Sequence, residues 1–339
     1  MAVTPQTNTT LAAIAAELAQ RDDFVICGHV SPDGDCIGSQ LALMHALRSL
    51  GKRATCVLAE ENGCIDDAFS FLPGIDGFIP PSAYTGAVGV FVGVDVPTVA
   101  RIGDAAVLRE RAAFKVTIDH HAVESTMADL VYVDPDAAAT AGLVWELAGH
   151  LMERRDERVA TCAYTGLVTD TGRFQYQNTD AAALAAASEM VGAGTDPALV
   201  AREVFQNRRL ASILLESRAV ERMCFSDDGA AVVSWLSRGD FEELDALKPD
   251  AEPIINSLRS VKGVRVACML REQDQAVRGS LRAKDDTDVS GLARRFGGGG
   301  HRAAAGFTLE MELGEAVQTV LAAISELVAE PDEGKGVRK

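Results

Sequence analysis

Five short apolar runs constrain this chain more than any other feature. FVICG (24–28), ATCVL (54–58), VGVFVGV (88–94), FKVTI (114–118) and LVYV (130–133) are nearly continuous in apolar residues. Only FKVTI alternates polar with apolar, and the other four read as strands covered on both faces. Helical spacing fills segments around them, at 36–50, 139–153 and 156–168. Strands of this kind separated by helices predict an α/β fold with a mostly parallel sheet flanked by helices. Ligands in such sheets bind outside the carboxyl ends of the strands. Polar residues stand at those ends: His29, Asp33 and Asp35 after the first run, Asp95 after the third, and Asp119, His120 and His121 after the fourth. Asp170 follows an apolar helix.

Each residue alone has an ordinary reading. Asp33 sits in an Asp-Gly turn before a helix, Asp95 suits a helix cap, and Asp170 in TDTG suits a turn. Together they are too many acids for one place. Crowded carboxylates repel one another unless cations compensate them. A mixed His/Asp set suits Mn²⁺ better than Ca²⁺ or a thiolate-bound zinc. The ligands exceed what one ion needs. Two divalent ions clamping a phosphate, one activating water and both stabilising charge, is the chemistry that fits.

The 339 residues suffice for two domains. The pattern divides them into a metal-binding domain at 1–190, a helical linker at 191–223, a smaller mixed α/β domain at 224–330 and a flexible tail at 331–339. MAVTPQTNTT reads as a flexible lead before a first helix, LAAIAAELA. In the second half, SDDG predicts a hairpin turn before AAVVSWL. VRVACML and AVRGSLRA read as antiparallel strands, VSGLARRF as a helix, GFTLEM as a strand and 313–329 as a final helix.

No apolar run reaches the roughly 20 residues that span a bilayer, and no signal peptide is visible, so no membrane partner is expected. The seven cysteines form no CxxC pair and lie mostly in apolar segments. They read as reduced core thiols of a cytoplasmic protein. The formal net charge of −17 argues against a broad surface for long duplex nucleic acid. Yet Arg259 to Arg302 holds eight Arg and two Lys against five acids. Either this is a solvated basic face or it is a pocket for a small anion. The same stretch contains GGGGH, whose backbone N–H groups could cradle a phosphate.

HVSPDGDCIGS, the strand-end Asp95, IDHH, DTGRF and GGGGHRAAAG occur in that order. They resemble the motifs of the DHH phosphoesterases, the last that of the DHH-associated C-terminal domain. The layout looks most like the nanoRNase (oligoribonuclease)/pAp-phosphatase branch, pAp being 3′-phosphoadenosine 5′-phosphate. The resemblance implies that His29 and Asp33 bind one metal ion, that Asp35, His120 and Asp170 bind a second, and that Asp95 bridges them. It implies that His121 contacts the scissile phosphate or the leaving oxygen, with Asp119 orienting the histidines. It makes Arg282, with Ser280 beside it, the anion ligand, and Gly298, Gly299, Gly300 and His301 the grip on the substrate, in a cleft between the two domains.

The implied reaction is hydrolysis of oligoribonucleotides of two to four residues from the 5′ end, with linear dinucleotides and pAp as further substrates. Some members are homodimers. A single-strand DNA exonuclease of the same superfamily and a manganese pyrophosphatase are the rival enzymes. A non-catalytic nucleotide sensor is the rival outside catalysis, and it would not need all six metal ligands. One departure concerns AVEST after the DHH motif, where relatives often carry a small amide residue. Glu124 there bears on base or end recognition.

Overall fold

The computed structural model describes residues 6–122 and 127–329. Glu124 and the expected tail at 331–339 lie outside the described residues. The chain forms two compact units, Met1–Asn207 and Arg208–Lys339.

In the first unit α1 (Leu11–Ala19) leads to β1 (Phe24–Cys27), α2 (Gly34–Ser49) and β2 (Ala54–Val57). Then come β3 (Val90–Val94), α3 (Ala106–Arg111), β4 (Phe114–Asp119) and β5 (Leu130–Val133). The helices α4 (Thr140–Leu151), α5 (Glu157–Asp170), α6 (Ala181–Gly192) and α7 (Pro197–Ala201) complete it. All five expected strands form, in the order β2-β1-β3-β4-β5, and every pairing is parallel. Their carboxyl ends therefore share one edge. The strand order reverses at β1, whose neighbours are β2 and β3. The turn after β1 carries His29 and Asp33 and the end of β3 carries Asp95, so both flank the crevice that such a reversal opens.

Helix α2 is buried over nearly its whole length, from Gly34 to Leu47. It packs on α5 at very short range: a Cβ on Gly38 would lie 2.5 Å from the Cys162 carbonyl oxygen. Only glycine permits that approach. The contact sets the C-terminal end of α5, with Asp170, beside the N-terminal end of α2. Phe24, Ile26, Val92, Val94 and Ile118 pack against these helices. Each fully buried side chain of this size is worth about 1.5–3 kcal/mol.

The lead is not loose where it is described. Asn8 N–H donates to the Val131 carbonyl (3.0 Å), and the Thr7 hydroxyl donates to the Val133 carbonyl (2.9 Å). These bonds occupy the outer edge of β5, where backbone groups would otherwise face water unpaired.

The second unit contains α8 (Leu210–Glu221), β6 (Cys224–Phe225), β7 (Ala231–Leu236), α9 (Arg238–Glu243) and α10 (Ile254–Ser260). β8 (Val266–Glu272), β9 (Val277–Ala283), α11 (Val289–Arg295), β10 (Gly299–His301), β11 (Ala304–Leu309) and α12 (Leu313–Ala329) follow. Its mixed sheet runs β10-β11-β9-β8-β7-β6, with β7–β8 the parallel pair. The segment expected as a linker, 191–223, falls on both sides of the division. α7 belongs to the first unit, and α8 packs Leu215 and Ala219 into the second unit's core. Among the described residues no helix is long and apolar enough to cross a membrane.

Candidate metal centre

The sheet edge gathers the expected residues of the first unit. Asp33 caps α2, accepting from the Cys36 N–H at 3.0 Å. Asp35, in the first turn of α2, is buried, as are His29, Asp95, Asp119 and His120. Two imidazoles are oriented by backbone carbonyls: His29 Nδ1 lies 2.9 Å from Val30 O, and His120 Nδ1 lies 3.2 Å from Ala137 O. That turns both Nε2 atoms toward the carboxylates, the arrangement in which histidines hold metals.

The spacings between donors are informative. His29 Nε2 lies 3.5 Å from Asp95 Oδ2 and 3.8 Å from Asp33 Oδ2. His120 Nε2 lies 3.5 Å from Asp95 Oδ1, 3.8 Å from Asp170 Oδ2 and 3.9 Å from Asp35 Oδ2. These gaps are too long for good hydrogen bonds. They suit atoms that would each stand about 2.0–2.2 Å from a shared ion. Asp95 gives one oxygen to each group. It also adopts a left-handed backbone, φ 55°, which Asp tolerates better than most residues. The donor set thus fits two divalent ions with one carboxylate between them.

The electrostatics agree. Burial pushes the Asp95 carboxyl well above its usual range, and Asp35 and Asp33 push it further. Burial raises Asp35, and it raises Asp170 to about 7 with help from Asp35 and Asp33. Burial disfavours the His120 imidazolium, but Asp170, Asp95, Asp35 and Asp119 outweigh it and lift its pKa to about 10. Without cations the cluster holds protons where a metal ion would replace them.

Asp119 stands behind His121. One of its oxygens lies 2.7 Å from His121 Nδ1 and also accepts the backbone N–H groups of His120 and His121. Other supports had no assigned role in the sequence, although Ser39 ends the first motif. The α4 N-terminus supplies the N–H of Thr140 (2.7 Å) and of Ala141 (2.8 Å) to Asp35. The Thr140 hydroxyl donates to Asp95 Oδ1 at 3.0 Å, and Ser39 donates to Asp35 at 3.2 Å. A threonine at the start of a helix near a strand end was the available signal. Thr140→Val keeps the shape and removes one bond to Asp95. We expect Mn²⁺ affinity, measured by titration, to fall about tenfold or more with the fold intact.

In the second unit β9 alternates, with Val277, Gly279, Leu281 and Ala283 buried and Arg278, Ser280 and Arg282 partly exposed. Ser280 and Arg282 thus share one face. Ser280 pairs in register with Gly306, and Arg282 with Ala304, which in turn pairs with His301. The glycine run is only partly a loop. The N–H groups of Gly297 and Gly298 bond the carbonyls of Arg294 and Ala293, closing α11. A Cβ on Gly298 would lie 2.1 Å from Gly306 O, whereas one on Gly299 would meet open space. Gly298 is therefore required by packing, and Gly299 begins the edge strand β10.

Comparison with known proteins identifies the family of the two units. The DHH family, N-terminal domain, matches residues 23–167, and the DHHA1 domain matches 228–330. The bifunctional oligoribonuclease and PAP phosphatase NrnA of Thermus thermophilus is 32% identical over 302 residues, 89% of this chain and 89% of that protein. Its namesake in Bacillus subtilis is 27% identical, over 85% and 90% of the two chains. The crystal structure of an exopolyphosphatase-related protein from Bacteroides fragilis superposes with a TM-score of 0.88 at 26% identity, covering 97% of this chain and 99% of that one. A sheet edge built around IDHH, followed by a second unit that matches the DHHA1 domain, places this chain in the DHH family, in the branch of the bifunctional oligoribonucleases and PAP phosphatases.

Proposed function

We propose that the protein hydrolyses phosphate esters of very short nucleotides. It would cut oligoribonucleotides of two to four residues from the 5′ end to mononucleotides, accept linear dinucleotides, and convert pAp to AMP. The observation that carries this reading is Asp95, whose two carboxylate oxygens serve the His29 group and the His120 group separately. Two divalent ions, Mn²⁺ by the mixed nitrogen and oxygen donors, supply when bound an activated water and a counter-charge for phosphate.

The chain's residues do the rest. His29 and Asp33 hold one position, and Asp35, His120 and Asp170 the other. Asp119 keeps the His121 proton on Nδ1, so His121 meets the leaving oxygen through Nε2. Arg282, beside Ser280, offers a planar fork of donors to a substrate phosphate, with Gly299, Gly300 and His301 on the edge strand β10, one strand beyond β11. Arg282→Ala should raise KM for a dinucleotide by about 10–100-fold, the worth of a charged hydrogen bond. Metal content, read by mass spectrometry, should stay at wild-type level. Work on short nucleotides in a reducing compartment agrees with free thiols at all seven cysteines, and we place the protein in the cytoplasm.

The test is a time course of purified, Mn²⁺-loaded protein on 5′-phosphorylated RNA of two, three, four and twenty nucleotides, with pAp and pyrophosphate alongside. Fast loss of the short substrates and of pAp is expected. Preference for the twenty-mer would move the protein to the single-strand exonucleases. Turnover of pyrophosphate alone would make it a pyrophosphatase, and no turnover at all would leave a nucleotide sensor.

A further inference from the structure

The metal centre has a charge problem that its own residues do not solve. Asp33, Asp35, Asp95, Asp119 and Asp170 pair with His29, His120 and His121 and with no Arg or Lys among the described residues. Two divalent ions bring four positive charges against these five carboxylates. An incoming phosphate therefore meets a site with no net positive charge of its own, and desolvating it there is costly.

A segment carrying an arginine is bonded to the turn that bears His29. The Val30 N–H, one residue from His29, donates to the Arg101 carbonyl at 2.8 Å. The segment from Val99 to Ala105 that carries Arg101 is pressed against the metal-binding turn. Ile102 is fully buried beside it. Gly103 takes φ 50°, and a Cβ there would lie 2.6 Å from Ala59 O and 3.1 Å from Val30 Cγ1. Asp104 accepts from the Glu61 N–H at 3.0 Å and ties the far end down. Burial of Ile102 leaves its neighbour Arg101 exposed, and the Arg101 side chain makes no hydrogen bond and no ion pair among the described residues. The backbone of Arg101 is thus bonded to the residue after His29, and its side chain is exposed and uncommitted. Two other cations near a ligand in sequence are already engaged: the Arg173 guanidinium lies 5.0 Å from the centre of the Phe205 ring, and Lys115 Nζ donates to the Ala112 carbonyl at 3.1 Å.

We propose that Arg101 binds the phosphoryl group that is hydrolysed, from the His29 side of the metal centre. This rests on the metal-centre reading above and extends it to a residue outside the ligand set. A guanidinium offers paired donors to phosphate oxygens and keeps its charge at any working pH. The residue would act on every substrate alike, because the hydrolysed phosphate is common to all of them.

The experiment compares wild type, Arg101→Ala and Arg101→Lys as full-length, Mn²⁺-loaded proteins. Inorganic phosphate is titrated in by calorimetry, and metal per chain is measured in the same samples. Arg101→Ala should weaken phosphate binding at least about tenfold with the metal content unchanged, and Arg101→Lys should recover part of the loss. kcat/KM should fall by a similar factor for a dinucleotide and for pAp. Phosphate affinity within about twofold of wild type would overturn the proposal, as would loss of metal in Arg101→Ala, which would make the residue structural. Failure of wild type to bind phosphate would overturn it too. If wild type binds phosphate but hydrolyses neither substrate, the hydrolase reading fails, and the calorimetry still decides the role of Arg101.

Discussion

Asp95→Asn should abolish turnover while making the metal-free protein more stable. The expected loss in kcat/KM is at least about 10³-fold, beyond the 10–100-fold typical of removing an outer partner of a metal ligand. The amide keeps the shape, and Asn, like Asp, accepts the left-handed backbone at this position. What it removes is the shared charge between His29 and His120. Stability should move the other way. Burial, Asp35 and Asp33 raise the Asp95 carboxyl well above its usual range in the folded metal-free chain. A carboxyl whose folded pKa exceeds its unfolded value costs stability above the unfolded value, about 3.9, and so costs it at pH 7. The amide has no such cost. Melting curves with and without Mn²⁺ decide the matter: wild type should gain a large metal-dependent stabilisation, whereas the variant starts higher and gains less. An active variant with a full metal complement would remove Asp95 from its bridging role.

Asp240→Asn should destabilise the second unit by about 3 kcal/mol or more, the lower end of what breaking a buried ion pair costs. Asp240 is 3% exposed. It binds Arg218 at 2.8 Å and Arg222 at 2.5 and 2.9 Å, and it accepts from the Ser237 N–H and hydroxyl at 2.7 and 2.9 Å. These bonds fasten the C-terminal end of α8 to the start of α9. Burial alone would raise its pKa, but Arg222, the Ser237 backbone and Arg218 outweigh it and hold the carboxyl well below the usual range. A depressed folded pKa gives stability that is full above the unfolded value, about 3.9, and fades as pH falls through the folded one. The gap between wild type and variant should thus be constant from pH 7 to 5 and shrink below about pH 4. Urea unfolding followed by Trp235 fluorescence in a Trp145→Phe background would measure it. An unchanged midpoint at pH 7 would mean that the two arginines find equal partners elsewhere.

Much of the first unit was legible because its signals are strong and local. Four of the five apolar runs lead directly into an acid or a histidine, which announces both a parallel strand and its functional end, and all five strands formed. The supports of the ligands were harder to read. Thr140 and Ala141 act on Asp35 through backbone N–H groups, which carry no residue signature. The pairing of Thr7 and Asn8 with β5 joins segments more than 120 residues apart and resembles a polar tail in sequence. Glycines disfavour strands, so β10 became visible only through its register with β11. Helix α10 follows Pro253 with only seven residues, too few for a periodic pattern to stand out.

The ligands of the metal centre span residues 29 to 170 and arrive from β1, α2, β3, β4 and α5. On the proposed assignment the second position, with Asp35, His120 and Asp170, is complete only after α5 has been synthesised and the sheet has closed. Its non-local contacts make that a slow step. Two ions held as proposed would cross-link five elements at once. Local openings anywhere in the sheet become as costly as unfolding the unit, and hydrogen exchange across β1, β3 and β4 should collapse onto one common rate in the metal-loaded protein.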